Sequence, residues 1–437
     1  MKVLLVVLAT CAAAVAQGVP SEEELKALHE TVSRIRGLEF KHPVAAAPLP
    51  MAALRKEWKR MLEAGTTPEQ FQAEARALTK LGFLSAGTDL EEALLDMYTN
   101  GIHAYYDPVP GGLYVIDRTE ARDETMYGLL TKMLLAGHGA RREDLFVAHE
   151  LTHALQDQHF RYFMRLALMM GDDDRFNAAR ALSEGDANLV LYEVLAGLGG
   201  KTAEDLFATT GEHAFDEEQL LGIPGYDRAP RALRLPLTFS YTQGVRFVRA
   251  LREKGGWKAI DAAFTDPPAS TEQVLHPEKY LGERDVPQLV TLPDLSAKLD
   301  GWRLTKRGIL GELMIRLVAE APGADAMRAA AGWDGDAYEV WEREKDGRLL
   351  LVLASTWDSE EDAKDFHDAM LAALKTRSDI GPPGVGSGAD CVAWVSDAGG
   401  VATDRSGRDV VVLDGTEGSA VDMAGTVLSG MRKEERK

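Results

Sequence analysis

Residues 146–160 read FVAHELTHALQDQHF, three histidines and two acids in fifteen residues. His149, Glu150 and His153 have the H-E-x-x-H spacing, which chance alone produces in about one chain in 50 of this composition. Context therefore has to carry the reading. Phe146, Val147, Leu151 and Leu155 give the segment a helical apolar pattern, and Glu143 and Asp144 suit a first turn. On a helix, residues four apart differ by about 40° around the axis, so His149 and His153 stand on one side and can share one metal ion. Glu150 lies next to them, where it can reach a metal-bound water without being a ligand. Catalytic zinc needs this arrangement: two imidazoles, a third protein ligand and an open position for water.

Two residues compete for the third position. His159 lies ten residues after His149, but an unbroken helix turns it about 240° away from His153. Gln156, Asp157 and Gln158 offer no break, so His159 reads as a helix-end histidine. Glu184 lies 31 residues past His153, in RALSEGDANLVLYEV (180–194). Ala181, Leu182, Ala187 and Leu189 surround it, and the small residues would let this helix approach the histidine helix closely. One carboxylate from a second helix gives His-His-Glu ligation of the catalytic type. A solvated acid in an acidic protein is the competing reading of Glu184.

HELTH followed by SEGDAN resembles the gluzincin branch of the zincin metallopeptidases, the thermolysin-like superfamily. More narrowly, the chain is similar to bacterial and archaeal proteins with a motif like HE-hydrophobic-xHALQDQHF and then EGDA. The resemblance is specific over about residues 95–280 and looser beyond. It implies Zn2+ held by His149, His153 and Glu184, with Glu150 as general base. The superfamily places an acid four residues after the third ligand to orient the first histidine, and here that position is Asn188. An amide accepts an imidazole N–H more weakly than a carboxylate does. Asp157, one turn after His153, or Asp186 are alternatives for steadying a ligand, and either reads equally as a plain surface acid. FSYTQGVRFV (239–248) and PPASTEQVLHPEKY (267–280) share the narrower resemblance. They make Tyr241 and His276 the candidate donors to a developing oxyanion. Tyr241 also reads as a core aromatic. The β-rich run Leu113 to Ile116 is a candidate for pairing with an extended substrate backbone.

These residues need a scaffold, and the pattern around them predicts an α+β fold. Residues 1–16 read as a signal peptide, 17–300 as a mainly helical zincin-like domain with a small sheet, and 301–437 as a C-terminal α+β domain. Helical periodicity marks 21–35, 52–78, 90–98, 120–135, 142–160 and 175–195, with a linker at 43–51. The stretch 283–301 looks like an extended crossover, and a helix is expected over 305–321. Beyond it, LLLVLAST and DVVVLDGT align loosely, and each leads into an acid-started helix. That suggests a duplicated β-β-α unit in one antiparallel sheet covered by helices on one face.

Composition narrows the partners. With 49 Lys and Arg against 69 Asp and Glu, the net charge of −20 disfavours nucleic acid and anionic membranes. MKVLLVVLATCAAAVAQ pairs Lys2 and an apolar run with the cleavage pattern Ala14-Val15-Ala16, so export is expected. Lipidation at Cys11 is the alternative, although Thr10 suits it poorly. No later stretch is apolar enough to span a bilayer. Loss of the leader would leave only Cys391, so no intramolecular disulfide is expected. Phosphate-cradling loops, nucleophile elbows and multi-cysteine clusters are absent from the sequence. The expectation is an exported zinc metallopeptidase acting on peptides or proteins. Its rival is a catalytically inactive zincin-fold envelope protein with a binding or structural role.

Overall fold

The computed structural model describes residues 19–117, 142–169, 171–210, 226–321, 324–379, 381, 384–385, 390–397 and 399–436. The leader-like segment and the helical pattern at 120–135 lie outside the described residues. The fold is α+β. Helix α1 (Glu22–Arg36) starts in a Ser21–Glu24 capping box and stops at Gly37, whose φ of 71° gives the left-handed end that glycine tolerates. Strand β1 (Ala46–Pro50) follows, then α2 (Met51–Gly65), α3 (Pro68–Lys80) and α4 (Leu90–Gly101). The helical pattern at 52–78 is thus broken, because Thr67 and Gln70 form a second capping box ahead of Pro68.

Strands β2 (Ala104–Asp107) and β3 (Gly112–Asp117) complete a three-stranded sheet of order β1-β3-β2. The expected linker at 43–51 therefore contains a strand, parallel to β3, with Ala46 opposite Leu113 and Pro50 opposite Asp117. Its two prolines suit the edge position, where missing amides leave no ladder bond unmade. The order also corrects the expectation for Leu113 to Ile116. β3 is the central strand, with both edges taken, so it has no side left for a substrate.

Four helices then build the interior: α5 (Arg142–Phe160), α6 (Tyr162–Leu168), α7 (Asp173–Leu198) and, after α8 (Ala203–Thr210), the long α9 (Arg231–Thr265). Helix α9 kinks at Gly255 and Gly256, the latter with a φ of 65°. Helices α7 and α9 cross with their backbones touching: a methyl group at Gly185 would collide with the Gly244 carbonyl, and one at Gly244 with the Ala181 carbonyl. The small residues around Glu184 thus serve the contact with α9, a partner the sequence reading had not assigned to them. Short helices α10 (Thr271–Leu275) and α11 (Glu278–Leu281) and strand β4 (Gln288–Thr291) close this part.

The expected helix at 305–321 is instead strand β5 (Trp302–Gly308) and helix α12 (Gly311–Val318). After α13 (Ala326–Ala330) come β6 (Trp333–Arg343), β7 (Leu349–Trp357), α14 (Glu360–Lys375), β8 (Gly384–Val385), β9 (Cys391–Ser396), β10 (Gly399–Ser406), β11 (Asp409–Thr416), α15 (Ala420–Gly430) and β12 (Arg432–Glu435). Seven strands form one antiparallel sheet of order β5-β6-β7-β11-β10-β9-β8.

Its helices do not share one face. Phe366 and Met370 of α14 pack with Leu351, Leu353, Val410 and Val412, whereas Met423 and Val427 of α15 pack with Leu350, Val352, Val411 and Leu413. Successive residues of β7 and β11 thus enter opposite cores, which is why both strands are continuously apolar rather than alternating. The two halves also share structure. Ala77 of α3 and Leu81 just after it belong to the α14-side core, β12 pairs with β4, and Arg436 reaches Asp174 at 2.8 Å near the start of α7. Among the described residues, no helix is long and apolar enough to cross a membrane.

Candidate metal centre

Helix α5 buries Val147, Ala148, Leu151, Ala154 and Leu155 completely, packing them with Val32 of α1, Leu113 and Val115 of β3, and Val190 of α7. That fixes its rotation. His149 and His153 then face α7, where Glu184 meets them. The Nε2 atoms of the two histidines lie 3.1 Å apart. Glu184 Oε2 lies 3.3 Å from His149 Nε2 and 3.5 Å from His153 Nε2. A four-coordinate zinc with bonds of about 2.0–2.2 Å spaces its ligand atoms roughly 3.3–3.6 Å apart. Both Glu184 edges fall in that range and the histidine–histidine edge lies just below it, so the three donors fit that ion after a small parting of the imidazoles. Glu184 Oε2 is buried and, among the described residues, has no hydrogen-bond partner. A buried anionic oxygen facing two imidazole nitrogens is the donor set expected around a cation.

The charge states agree with the geometry. Burial opposes ionisation of Glu184, but the two imidazoles hold it well below the ordinary carboxylate range. Burial likewise opposes a charge on His153, and Glu184, Glu150 and Gln156 outweigh it, pushing the group up to about 9. Burial raises Glu150, helped by Glu184 and opposed by the imidazoles and the Tyr106 amide. Glu150 Oε2 accepts that amide at 2.8 Å, which ties the acid to edge strand β2. Ligand-capable atoms of His149, Glu150 and His153 all lie within 4.8 Å of one another.

Other expected residues land differently. Tyr241, in the middle of α9 three residues before Gly244, brings its ring centroid to 6.2 Å from that of His149. Burial, with Glu184 adding to it, holds its phenol well above the ordinary range, so it stays a donor. His276 is not at this centre. Its Nε2 lies 3.1 Å from Glu312 Oε2 of α12. It follows α10, whose Thr271 hydroxyl donates to Asp174 at 2.6 Å. Asp174 is ten residues before Glu184, about 15 Å along α7.

Asn188 does not steady a histidine in the way the resemblance implies, since its amide donates to the Glu184 carbonyl at 2.9 Å, one turn back in its own helix. Asp157 accepts from the Tyr106 hydroxyl at 3.1 Å, supporting β2 rather than an imidazole. His159 Nε2 lies 2.8 Å from the Glu39 carbonyl oxygen.

Several neighbours had no role in the sequence reading. Gln156 Oε1 lies 2.9 Å from His153 Nδ1, and Ser183 Oγ lies 3.3 Å from the same nitrogen. Gln156 sits three residues after His153 on the same helical face, a signal visible in the sequence. Arg180 places its Nε 3.7 Å from Glu184 Oε1 and interacts with Tyr98. Arg36, from α1, pairs with Asp186 at 2.8 Å. No local pattern links residues that far apart in sequence.

Comparison with known proteins adds little at this centre. A model for a domain of unknown function (DUF8575) matches residues 302–424, the span of the seven-stranded sheet and part of α15. The histidine helix lies outside it. No curated protein matches the chain. A crystal structure from Chloroflexus aurantiacus, provisionally described as a hydrolase with a novel fold, is similar at 16% identity and a TM-score of 0.35. The similarity covers 62% of this chain and 93% of that one, and at this level it carries no argument about fold or activity.

Proposed function

We propose that the chain is a zinc-dependent peptidase, with His149, His153 and Glu184 holding the ion and Glu150 acting as general base. The observation that supports this most directly is the triangle of donor atoms with edges of 3.1, 3.3 and 3.5 Å. Bound zinc would polarise a substrate carbonyl and make water more acidic. Glu150, held through Oε2 by the Tyr106 amide, keeps Oε1 to take a proton from the water that attacks the carbonyl carbon. It then delivers that proton to the amide nitrogen as the C–N bond breaks. The Tyr241 phenol donates to the oxygen on which negative charge develops.

Substrate binding follows from the sheet. Ile116 donates to the His103 carbonyl, so by antiparallel alternation the Ala104 amide and carbonyl point away from β3. An extended peptide lying along that edge of β2 would run beside Glu150.

The test is metal analysis of the purified chain, together with cleavage of a broad peptide library by wild type and Glu150→Gln. The reading expects about one zinc per chain, chelator-sensitive cleavage, and loss of cleavage in the variant with zinc retained. Bound zinc without such cleavage would favour a binding or structural role instead. A chain that binds no zinc would sink both.

A further inference from the structure

The amide of Gln156 can point only one way. Its Nε2 lies 3.0 Å from the Ser183 carbonyl oxygen, which can only accept, and 2.9 Å from Oδ2 of Asp186, which accepts as the carboxylate paired with Arg36. Turning the amide over would set its oxygen against two oxygens. Oε1 therefore faces His153 Nδ1 at 2.9 Å and also accepts the Ser183 hydroxyl at 2.6 Å. Because Oε1 has no hydrogen to give, the proton in the contact with His153 belongs to Nδ1.

The chain of contacts continues inward. Asp186 Oδ1 accepts Arg36 Nε at 2.8 Å, and Arg36 Nη2 lies 2.7 Å from Asp261 Oδ1. Gln156, Asp186 and Arg36 are all essentially inaccessible to solvent. Water therefore does not compete for these bonds, and a broken one would leave an unpaired polar group inside.

We infer that Gln156 is a positioning residue that fixes His153 as the Nδ1–H tautomer, so that its Nε2 lone pair faces His149 and Glu184. Asp186, backed by Arg36, holds the Gln156 amide in that orientation. The function is the one that acids or carbonyls perform behind zinc-bound histidines elsewhere, raising ligand basicity and fixing ring rotation. Here a glutamine three residues along the same helix performs it. Ser183 and Asp186, three apart on the facing helix, supply the matching surface. The inference rests on the proposed metal reading, because an Nε2 lone pair matters only if something binds there.

The experiment uses the full chain with 15N-labelled histidine, loaded with zinc, and long-range 1H–15N correlation to assign the protonated nitrogen of His153. Zinc affinity is measured by chelator competition on wild type, Gln156→Leu and Gln156→Glu. Wild type should show a proton on Nδ1 and none on Nε2. Gln156→Leu should weaken zinc binding by about 10–100-fold and blur that single-tautomer signature. Gln156→Glu keeps an acceptor for Nδ1–H but sets its second oxygen against the Ser183 carbonyl and Asp186, so it should keep the Nδ1 proton and recover only part of the affinity.

Zinc on wild-type Nδ1, or wild-type affinity in Gln156→Leu, would overturn the inference and leave the metal centre standing. A wild type that binds no zinc would overturn both. Should Gln156→Leu fail to fold, the neutral ring in metal-free wild type decides the matter: a proton on Nδ1 sustains the inference and one on Nε2 overturns it.

Discussion

Replacing Gly185 by alanine tests whether the helix crossing sets the geometry of the proposed metal centre. The new methyl would meet Val248 Cγ2 at 2.9 Å and would overlap the Gly244 carbonyl. Carbon atoms settle at about 3.5–4.0 Å, and the Gly244 carbonyl carbon would lie deep inside that limit, so α7 and α9 would have to part by roughly 1–1.5 Å. Backbone blocks the way on one side, and no side-chain rotation relieves it. Overpacking of this kind costs about 1–3 kcal/mol, and the upper end applies here. Alanine returns up to about 1 kcal/mol of helix propensity. The net expectation is a loss of about 2 kcal/mol, read from urea unfolding. Because α7 carries Glu184 and α9 carries Tyr241, the same shift moves the proposed ligand Glu184 relative to imidazole nitrogens only 3.3 and 3.5 Å away. Zinc affinity should fall by at least about tenfold, the order seen when ligand orientation is lost. Gly197→Ala is the control: it lies in the same helix, its added methyl would meet nothing within 4 Å among the described residues, and it should be neutral or stabilising. Wild-type stability and wild-type zinc affinity in Gly185→Ala would refute the argument that this contact positions Glu184.

Further outcomes follow from other contacts. Zinc at about 100 times its Kd should stabilise the chain by about 2.7 kcal/mol, a gain that excess chelator abolishes in the same unfolding assay. Tyr241→Phe should lower kcat by about 100-fold with zinc binding unchanged; an unchanged kcat would return Tyr241 to a packing role. Arg436→Ala leaves the buried Asp174 carboxylate without its cation, and urea unfolding should show a loss of about 3–5 kcal/mol. His276 is raised by its hydrogen bond to Glu312, with burial opposing. Its protonated form therefore adds stability that is complete below about pH 6.5 and is lost as pH rises through the raised value. The stability difference between wild type and His276→Gln should shrink along that rise, while peptide cleavage stays at the wild-type rate.

The residues that make a half-site were legible because one helix carries them. Four-residue spacing puts His149 and His153 on one side of any helix, and the apolar positions around them declare the helix. Gln156 was legible by the same rule, three residues after His153, whereas Gln158 is turned about 140° away from it. The continuous apolar runs of β7 and β11 carried their own message, burial on both faces, which the expectation of a one-sided sheet overlooked. Strands β1 and β5 were hidden. Prolines in β1 and charged residues in β5 resemble linker and helix until a neighbouring strand supplies the pairing.

Sequence by itself determined the α+β class, the H-E-x-x-H helix and a choice between His159 and Glu184 that local geometry could narrow but not close. Tertiary structure alone decided that Glu184 meets the two imidazoles, that His276 belongs to Glu312, and that Asn188 turns back on its own helix. It alone also connects Arg36 to His153 through Asp186 and Gln156. The physical reason is one of range. Helical spacing acts over a few residues and is written in the chain, whereas the approach of α7 to α5 and α9 depends on glycine contacts and buried charges whose partners lie tens to hundreds of residues away.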